Sequence, residues 1–170
     1  TSGKYSVILK AKNEFGDSRK NFTIQVGTGL ALTPPMGWNS WNVWALMSAP
    51  LLIGADLTKL NPFTFNLLSN REVIDIDQDI LGKPAKRFKV DDLLEIWTKE
   101  LSDGSVVVGL CNFGIQKHNI ELNMKTIGLE GQYIIRDVWR QKDIGDLKGK
   151  FIANVKPHEV KLLKLIKKNN

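Results

Sequence analysis

Acidic residues that could do chemistry are few and mostly scattered. Asp75, Asp77 and Asp79 alternate along the chain, a pattern that invites a calcium loop. Such a loop needs glycine at its sixth position and glutamate at its twelfth. Counted from Asp75, those positions hold Ile80 and Lys86, so the triplet reads as structural. His118 and His158 are far apart, and no Cys/His pair has zinc-site spacing. No Gly-x-Ser-x-Gly elbow and no Gly-rich phosphate loop occurs. Cys111, the one cysteine, ends the apolar run Val106 to Cys111. It reads as a small buried thiol rather than a nucleophile, and it permits no internal disulfide. Asp56 follows the apolar run Leu51-Leu52-Ile53 and is the best-placed carboxylate, although a turn or helix cap is the simpler reading. No catalytic residue, metal or cofactor is assigned from these patterns.

The chain has 170 residues, enough for about one domain or two small ones. Its apolar fraction of 42% and charged fraction of 25% are those of an ordinary globular protein. No apolar run approaches the ~20 residues of a membrane span, so none is expected. The opening Thr-Ser-Gly-Lys lacks the basic and apolar stretches of a secretory signal, and the absence of an initial Met reads as a cut end. The formal net charge is +6, with much of the excess at Lys161, Lys164, Lys167 and Lys168. A nucleic-acid site would gather basic residues with aromatics or on a recognition helix. Here the lysines punctuate apolar residues, which is a solvated strand face and a tail, so no nucleic-acid partner is expected.

Three segments must position whatever function there is. In residues 1–28, Tyr5, Val7 and Leu9 alternate with polar residues, with Ile8 as an exception, and Phe22, Ile24 and Val26 alternate strictly. The turn-rich Asn13 to Asp17 lies between, which makes a hairpin. In residues 29–84, Leu30 to Leu32 begins a short strand and Val43 to Met47 reads as the tail of a helix stopped before Pro50. Leu51-Leu52-Ile53 is a continuous apolar run, the mark of a strand covered on both faces. Phe63 to Asp75 has helical spacing through Phe63, Leu67, Asn70 and Ile74. In residues 85–170, short strands are expected at Leu94–Lys99, Ser105–Phe113, His118–Leu122, Tyr133–Trp139, Phe151–Val155 and Glu159–Ile166. Ser102-Asp103-Gly104 turns between the first two. This spacing favours a small antiparallel sandwich.

Two motifs carry a resemblance. LALTPPMGWNSWN, from Leu30, is similar to the first barrel strand of the glycoside hydrolase family 27 α-galactosidases. WALMSAPLLIGADLTKLNPFTFNLLSNREVIDIDQDILGKPAKRF, from Trp44, resembles the end of the seventh helix, the eighth strand and the eighth helix of the same barrel. DVWRQKDIG and VKPHEVKLLKL resemble the C-terminal β-sandwich of those enzymes, and residues 1–28 loosely resemble the last two strands of a bacterial immunoglobulin-like domain. The fold expected is therefore mixed and mainly β: a remnant of a (β/α)8 barrel, its first and eighth strands, in residues 29–84, followed by an antiparallel β-sandwich in residues 85–170. A complete barrel takes ~250 residues, so most of its units are missing, and the gap falls between Asn42 and Val43.

The resemblance implies a retaining glycosidase that releases terminal α-linked galactose from oligosaccharides. Such enzymes use two carboxylates ~5–5.5 Å apart, one attacking the anomeric carbon and one protonating the leaving oxygen. The family carries both as aspartates on the fourth and sixth strands, and no residue of this sequence matches either motif, so this chain alone is expected to be inactive. What the resemblance leaves is part of a substrate-binding wall. Trp41 matches the tryptophan beside the galactose ring and Trp38 a second one nearby; an indole face suits the apolar C–H side of a pyranose. The alternative is a non-catalytic carbohydrate-binding or adhesive sandwich, for which Trp97 and Trp139 are the exposed-aromatic candidates, with core packing the simpler role. Open strand edges predict self-association. By resemblance alone, the compartment is secreted or periplasmic.

Overall fold

The computed structural model describes residues 3–13, 16–26, 38–53 and 56–168. Two compact units divide the chain, Thr1–Met36 and Gly37–Asn170.

The first unit is the expected hairpin. β1 (Gly3–Asn13) pairs antiparallel with β2 (Gly16–Val26), closing at Asn13 opposite Gly16. Gly16 has φ +147°, a conformation open to glycine and strained for other residues. The register sets Tyr5 opposite Ile24 and Val7 opposite Phe22.

The second unit is a sandwich with helices on one outer face. Its large sheet runs β3-β4-β5-β10-β7-β8, formed by β3 (Lys86–Lys89), β4 (Leu94–Glu100), β5 (Val106–Asn112), β10 (Val160–Lys167), β7 (Tyr133–Asp137) and β8 (Lys142–Leu147). The small sheet pairs β6 (His118–Asn123) with β9 (Lys150–Val155). Every pairing is antiparallel. Between the sheets, Leu94, Ile96, Val108, Leu110, Ile135, Leu163 and Leu165 from the large one meet Ile120, Leu122, Ala153 and Val155 from the small one. Fully burying one such aliphatic side chain stabilises the fold by ~1.5–3 kcal/mol.

The six strands expected in residues 85–170 form at their expected places, and two more appear. β3 and β8 are the outer strands of the large sheet. β3 reads Lys-Arg-Phe-Lys, with only Phe88 packed inward; in β8 only Leu147 is buried. An edge strand with one wet face and one open side carries little apolar alternation and many charges, so neither gave a strand pattern.

Helices cover the other face of the large sheet: α1 (Trp38–Met47), α2 (Pro62–Leu68) and α3 (Arg71–Asp77). α1 runs without a break through Asn42 and Val43. Its pairs Trp41/Ala45 and Asn42/Leu46 are buried, the i, i+4 spacing of one helix side. Ser48, at φ +51°, ends it in the left-handed region. The single helix expected over Phe63–Asp75 is two, because Asn70 does not join an apolar stripe. Its Oδ1 accepts from the backbone N–H groups of Glu72 (3.1 Å) and Val73 (3.4 Å), capping α3.

Among the described residues, the barrel remnant is present as this helical layer rather than as strands. Leu51–Ile53 belongs to no ladder, and Leu52 and Ile53 are exposed. A parallel strand gains its order from neighbours on both sides, and none of the described residues supplies one. Leu30–Leu32 lies outside the described residues.

Candidate functional site

The most elaborated region of the molecule is the joint between the helical layer and the large sheet. β5 is buried at every residue, because alternate side chains face the small sheet and the helices. Gly109 stands where α1 comes closest: a Cβ there would lie 2.5 Å from Leu46 Cδ1. Leu46 fills the notch that the missing side chain leaves.

Polar side chains pin this joint. Lys99, on β4 and only 1% exposed, donates from Nζ to the Ala45 carbonyl (2.8 Å), Ser48 Oγ (2.8 Å) and the Ile76 carbonyl (2.5 Å). All three hydrogens of the ammonium thus find acceptors in the last turn of α1, just beyond it, and in the last turn of α3. Helix C-termini carry unpaired carbonyls and the negative end of the macrodipole, so a buried cation is stabilised there. Burial nevertheless pushes this ammonium below the ordinary lysine value, with Asp77 and Asp79 pulling the other way. Asn42, fully buried on α1, donates to the Val160 carbonyl (2.8 Å) and accepts from Trp139 Nε1 (2.5 Å). Asn70 donates to the Val138 carbonyl (3.2 Å). Arg136 grips Glu72 through two bonds, of 2.8 and 2.6 Å, and reaches Asp143 at 2.9 Å. These carboxylates raise the affinity of its guanidinium for the proton it already holds.

Two clefts flank the joint. One, of about 350 Å³, is lined by Asp137, Trp139, Arg140, Lys156, His158 and Lys161 among others. The second, of about 440 Å³, is lined by Glu72, Asp79, Ser102, Asp103, Arg136 and Lys164 among others. Their acids are engaged. Asp137 pairs with Arg140 at 3.1 Å and Glu72 with Arg136. Asp103 accepts from Lys164 Nζ (2.7 Å) and from Ser105. Burial tends to raise the Asp103 carboxyl, but these donors prevail and hold it at about 2. Burial likewise opposes, and the two bonds from Ser102 enforce, an Asp79 carboxyl below its ordinary value. A general acid must hold its proton near working pH; Asp103 and Asp79 are tuned the other way.

Trp41 is 4% exposed and packs with Ala45, Leu46 and Val73 in the core under the helices. Trp38 opens α1, and its side chain lies outside the described residues. Trp97 and Trp139 are half-buried against the same core, their indole N–H groups given to Glu95 (2.8 Å) and Asn42; both pack rather than stand free. Asp56 caps the short turn Leu57–Lys59, accepting from Thr58 N and Oγ1. Those bonds hold its carboxyl below the ordinary range. The aspartate triplet disperses: Asp75 pairs with Arg71 (2.8 Å), Asp77 accepts from Gln78, and Asp79 turns to Ser102. No group of three or more metal-ligating side chains gathers among the described residues. Burial, with Glu95 nearby, pushes the Cys111 thiol up to about 12, which leaves it inert at neutral pH. Sequence reasoning missed Lys99 and Asn42. The only signal for Lys99 was a lysine inside a strand otherwise destined for burial.

Comparison with known proteins places this architecture. A family model described as the α-galactosidase C-terminal β-sandwich domain matches residues 91–165, and one described as α-galactosidase A matches residues 39–79. α-Galactosidase 2 of Arabidopsis thaliana is 38% identical over 147 residues, 85% of this chain and 37% of that protein. The α-galactosidase of Coffea arabica is 36% identical over 141 residues, again 37% of its length. Among solved structures, α-galactosidase I of Mortierella vinacea superposes with a TM-score of 0.69 at 27% identity, over 76% of this chain and 34% of that one. A family 27 β-L-arabinopyranosidase of Geobacillus stearothermophilus gives 0.71 at 25% identity, over 76% and 30%. The chain thus spans 37% of the length of each of these two curated relatives. The two matched models cover more than half of it, on either side of the joint that Lys99 and Asn42 hold together: the chain belongs to the glycoside hydrolase family 27 α-galactosidases.

Proposed function

We propose that these residues are the sandwich-bearing portion of an α-galactosidase-type hydrolase, one that releases terminal α-linked galactose from oligosaccharides, and that they do not catalyse on their own. One observation carries the reading: the match covers a sandwich and its helical layer, while the acids lining its clefts are consumed in ion pairs and caps. Retaining hydrolysis needs a free carboxylate nucleophile and a second carboxyl that keeps its proton, ~5–5.5 Å away. Asp103, which spends its oxygens on Lys164 and Ser105, and Asp56, which spends its own on Thr58, fill neither role. The portion shared with the Mortierella α-galactosidase is shared equally with the Geobacillus arabinopyranosidase. A part common to enzymes named for different sugars holds the fold rather than choosing the substrate.

In this reading the joint docks the sandwich on the barrel's last helices, and Trp41 serves packing here rather than stacking on sugar. The immunoglobulin-like pattern of residues 1–28 supports a secreted or periplasmic setting. The test is an assay of the purified chain with p-nitrophenyl α-galactoside. No turnover above the buffer rate is expected, and measurable turnover that survives repurification would overturn the reading.

A further inference from the structure

The smaller of the two clefts carries more positive charge than its own carboxylates consume. It is lined wholly by described residues, among them Asp137, Trp139, Arg140, Lys156, Glu159 and Lys161. Its volume of about 350 Å³ falls within the ~300–1,000 Å³ of small-ligand sites. The lining sets three permanent cations, Arg140, Lys156 and Lys161, against two carboxylates, Asp137 and Glu159. Asp137 is committed to Arg140: it accepts from the backbone N–H (3.0 Å) and from the guanidinium (3.1 Å) of that residue. Glu159 accepts from the backbone N–H of Lys156 (2.6 Å). Among the described residues, no ion pair takes up the ammonium of Lys156 or Lys161.

The walls of the cleft are fixed by buried polar groups. Asn112, only 1% exposed, donates from Nδ2 to the carbonyls of Val155 (3.1 Å) and Lys156 (3.0 Å). Its backbone N–H donates to the Glu159 carbonyl (3.0 Å), and the Glu159 N–H closes the turn on the Lys156 carbonyl (3.1 Å). The turn between β9 and β10, which presents Lys156 to the cleft, is thus held from β5. Beyond the end of β7, Trp139 gives its indole N–H to Asn42, which anchors the ring and leaves it half-buried in the lining.

We infer that this cleft is a non-catalytic binding site for an acidic pyranose, a sugar ring bearing one uronate or sulfate ester group. An indole suits the apolar C–H side of a pyranose. The excess of cations selects an anion, and an ammonium or guanidinium gives it charge-assisted hydrogen bonds. A bare inorganic anion would use the charge and not the indole. A neutral galactose would use the indole and leave the ammonium groups unmatched. The inference goes beyond the hydrolytic reading, because it concerns binding by the sandwich and involves no bond made or broken.

The test is a titration of the isotope-labelled chain followed by its amide shifts. The probes are methyl α-D-galacturonide, galactose 6-sulfate, methyl α-D-galactopyranoside and sodium acetate, all at one ionic strength. Saturable shifts are expected at residues 139–140 and 156–161 with at least one acidic sugar. The neutral galactoside should bind roughly tenfold more weakly, the effect of losing about one charge-assisted contact. Whichever acidic sugar binds more tightly identifies the anionic group. The double variant Lys156→Gln, Lys161→Gln should bind the acidic sugar no better than the neutral one. Should that variant lose the circular dichroism of the parent chain, Lys156→Gln alone is read instead. Lys156 is exposed, and its loss should weaken binding roughly threefold. Four outcomes overturn the inference: no saturable shift with either acidic sugar, equal affinity for the neutral galactoside, acetate binding as tightly as the acidic sugars, or an affinity that the lysine variants leave unmoved. Hydrolysis is not the readout, so turnover or its absence bears on the functional reading and not on this site.

Discussion

The two faces of the large sheet are buried by different means. Toward β6 and β9 the contact is aliphatic and continuous: Leu110, Ile120, Leu122, Ile135 and Leu165 are all fully buried. Toward the helices it is apolar in patches and pinned by polar groups, chiefly Lys99, Asn42, Asn70 and the Glu72–Arg136 pair. Hydrophobic burial is non-directional and closes a sandwich without further instruction. Short helices have little stability of their own, so their seating depends on donors and acceptors that admit one arrangement. The sandwich interior is therefore the part that folds as a block, and the helical layer is the part that is fastened to it.

The largest effect should come from breaking the interior. Leu110→Ala is expected to cost about 2–5 kcal/mol, as large-to-small core changes do. Urea unfolding followed by tryptophan fluorescence and by circular dichroism should show both probes shifting together. Lys99→Met comes next, at about 2–4 kcal/mol, because two helix-terminal carbonyls lose their donor inside the protein. Here the loss should be local. Exchange protection should fall in α1 and α3 and hold in β5 and β10; an equal fall everywhere would erase the distinction between the two faces. Gly109→Ala sharpens the comparison further. The new methyl group touches Val160 and Trp97 at ordinary distance and clashes with Leu46 alone, on the helix side, so about 1–3 kcal/mol is expected, with amide shifts concentrated in α1.

The smallest effect is an acid titration. The folded Asp103 carboxyl is held at about 2, below its ordinary value of ~3.9. Its contribution is therefore complete above pH ~4 and is lost as pH falls toward 2. The group is more than half exposed, so screening leaves roughly 1 kcal/mol or less. The stability gap between wild type and Asp103→Asn should be open at pH 5 and closed at pH 2; a gap that persists at pH 2 would show that the carboxylate's charge is not its source.

Much of the sandwich could be read from the chain, because each interior strand announces itself by period or by a continuous apolar run. The Ser102-Asp103-Gly104 turn is where it was expected, with Gly104 at φ +79°. β3 and β8 were illegible for a physical reason: at the sheet edges nothing selects for apolar alternation. Asn70 misled in the opposite sense. Its place in a helical period suggested a stripe, whereas a side-chain oxygen one turn before Val73 was a cap. Leu51–Ile53 carries the composition of a doubly covered strand and remains outside any ladder, since composition records the partners a segment was shaped for and pairing requires those partners to be present.

The sequence by itself determined the family, the antiparallel sandwich and the absence of matches to the two aspartate motifs, because these follow from local pattern and motif. Only the tertiary structure decided that β5 is covered on both faces, that Trp41 and Asn42 belong to one helix docked on the sheet, and that a lysine is the fastening. Those facts depend on which groups meet across long stretches of chain. A buried cation is tolerable only where three acceptors happen to converge, and nothing in the neighbourhood of Lys99 along the chain foretells Ala45 and Ile76.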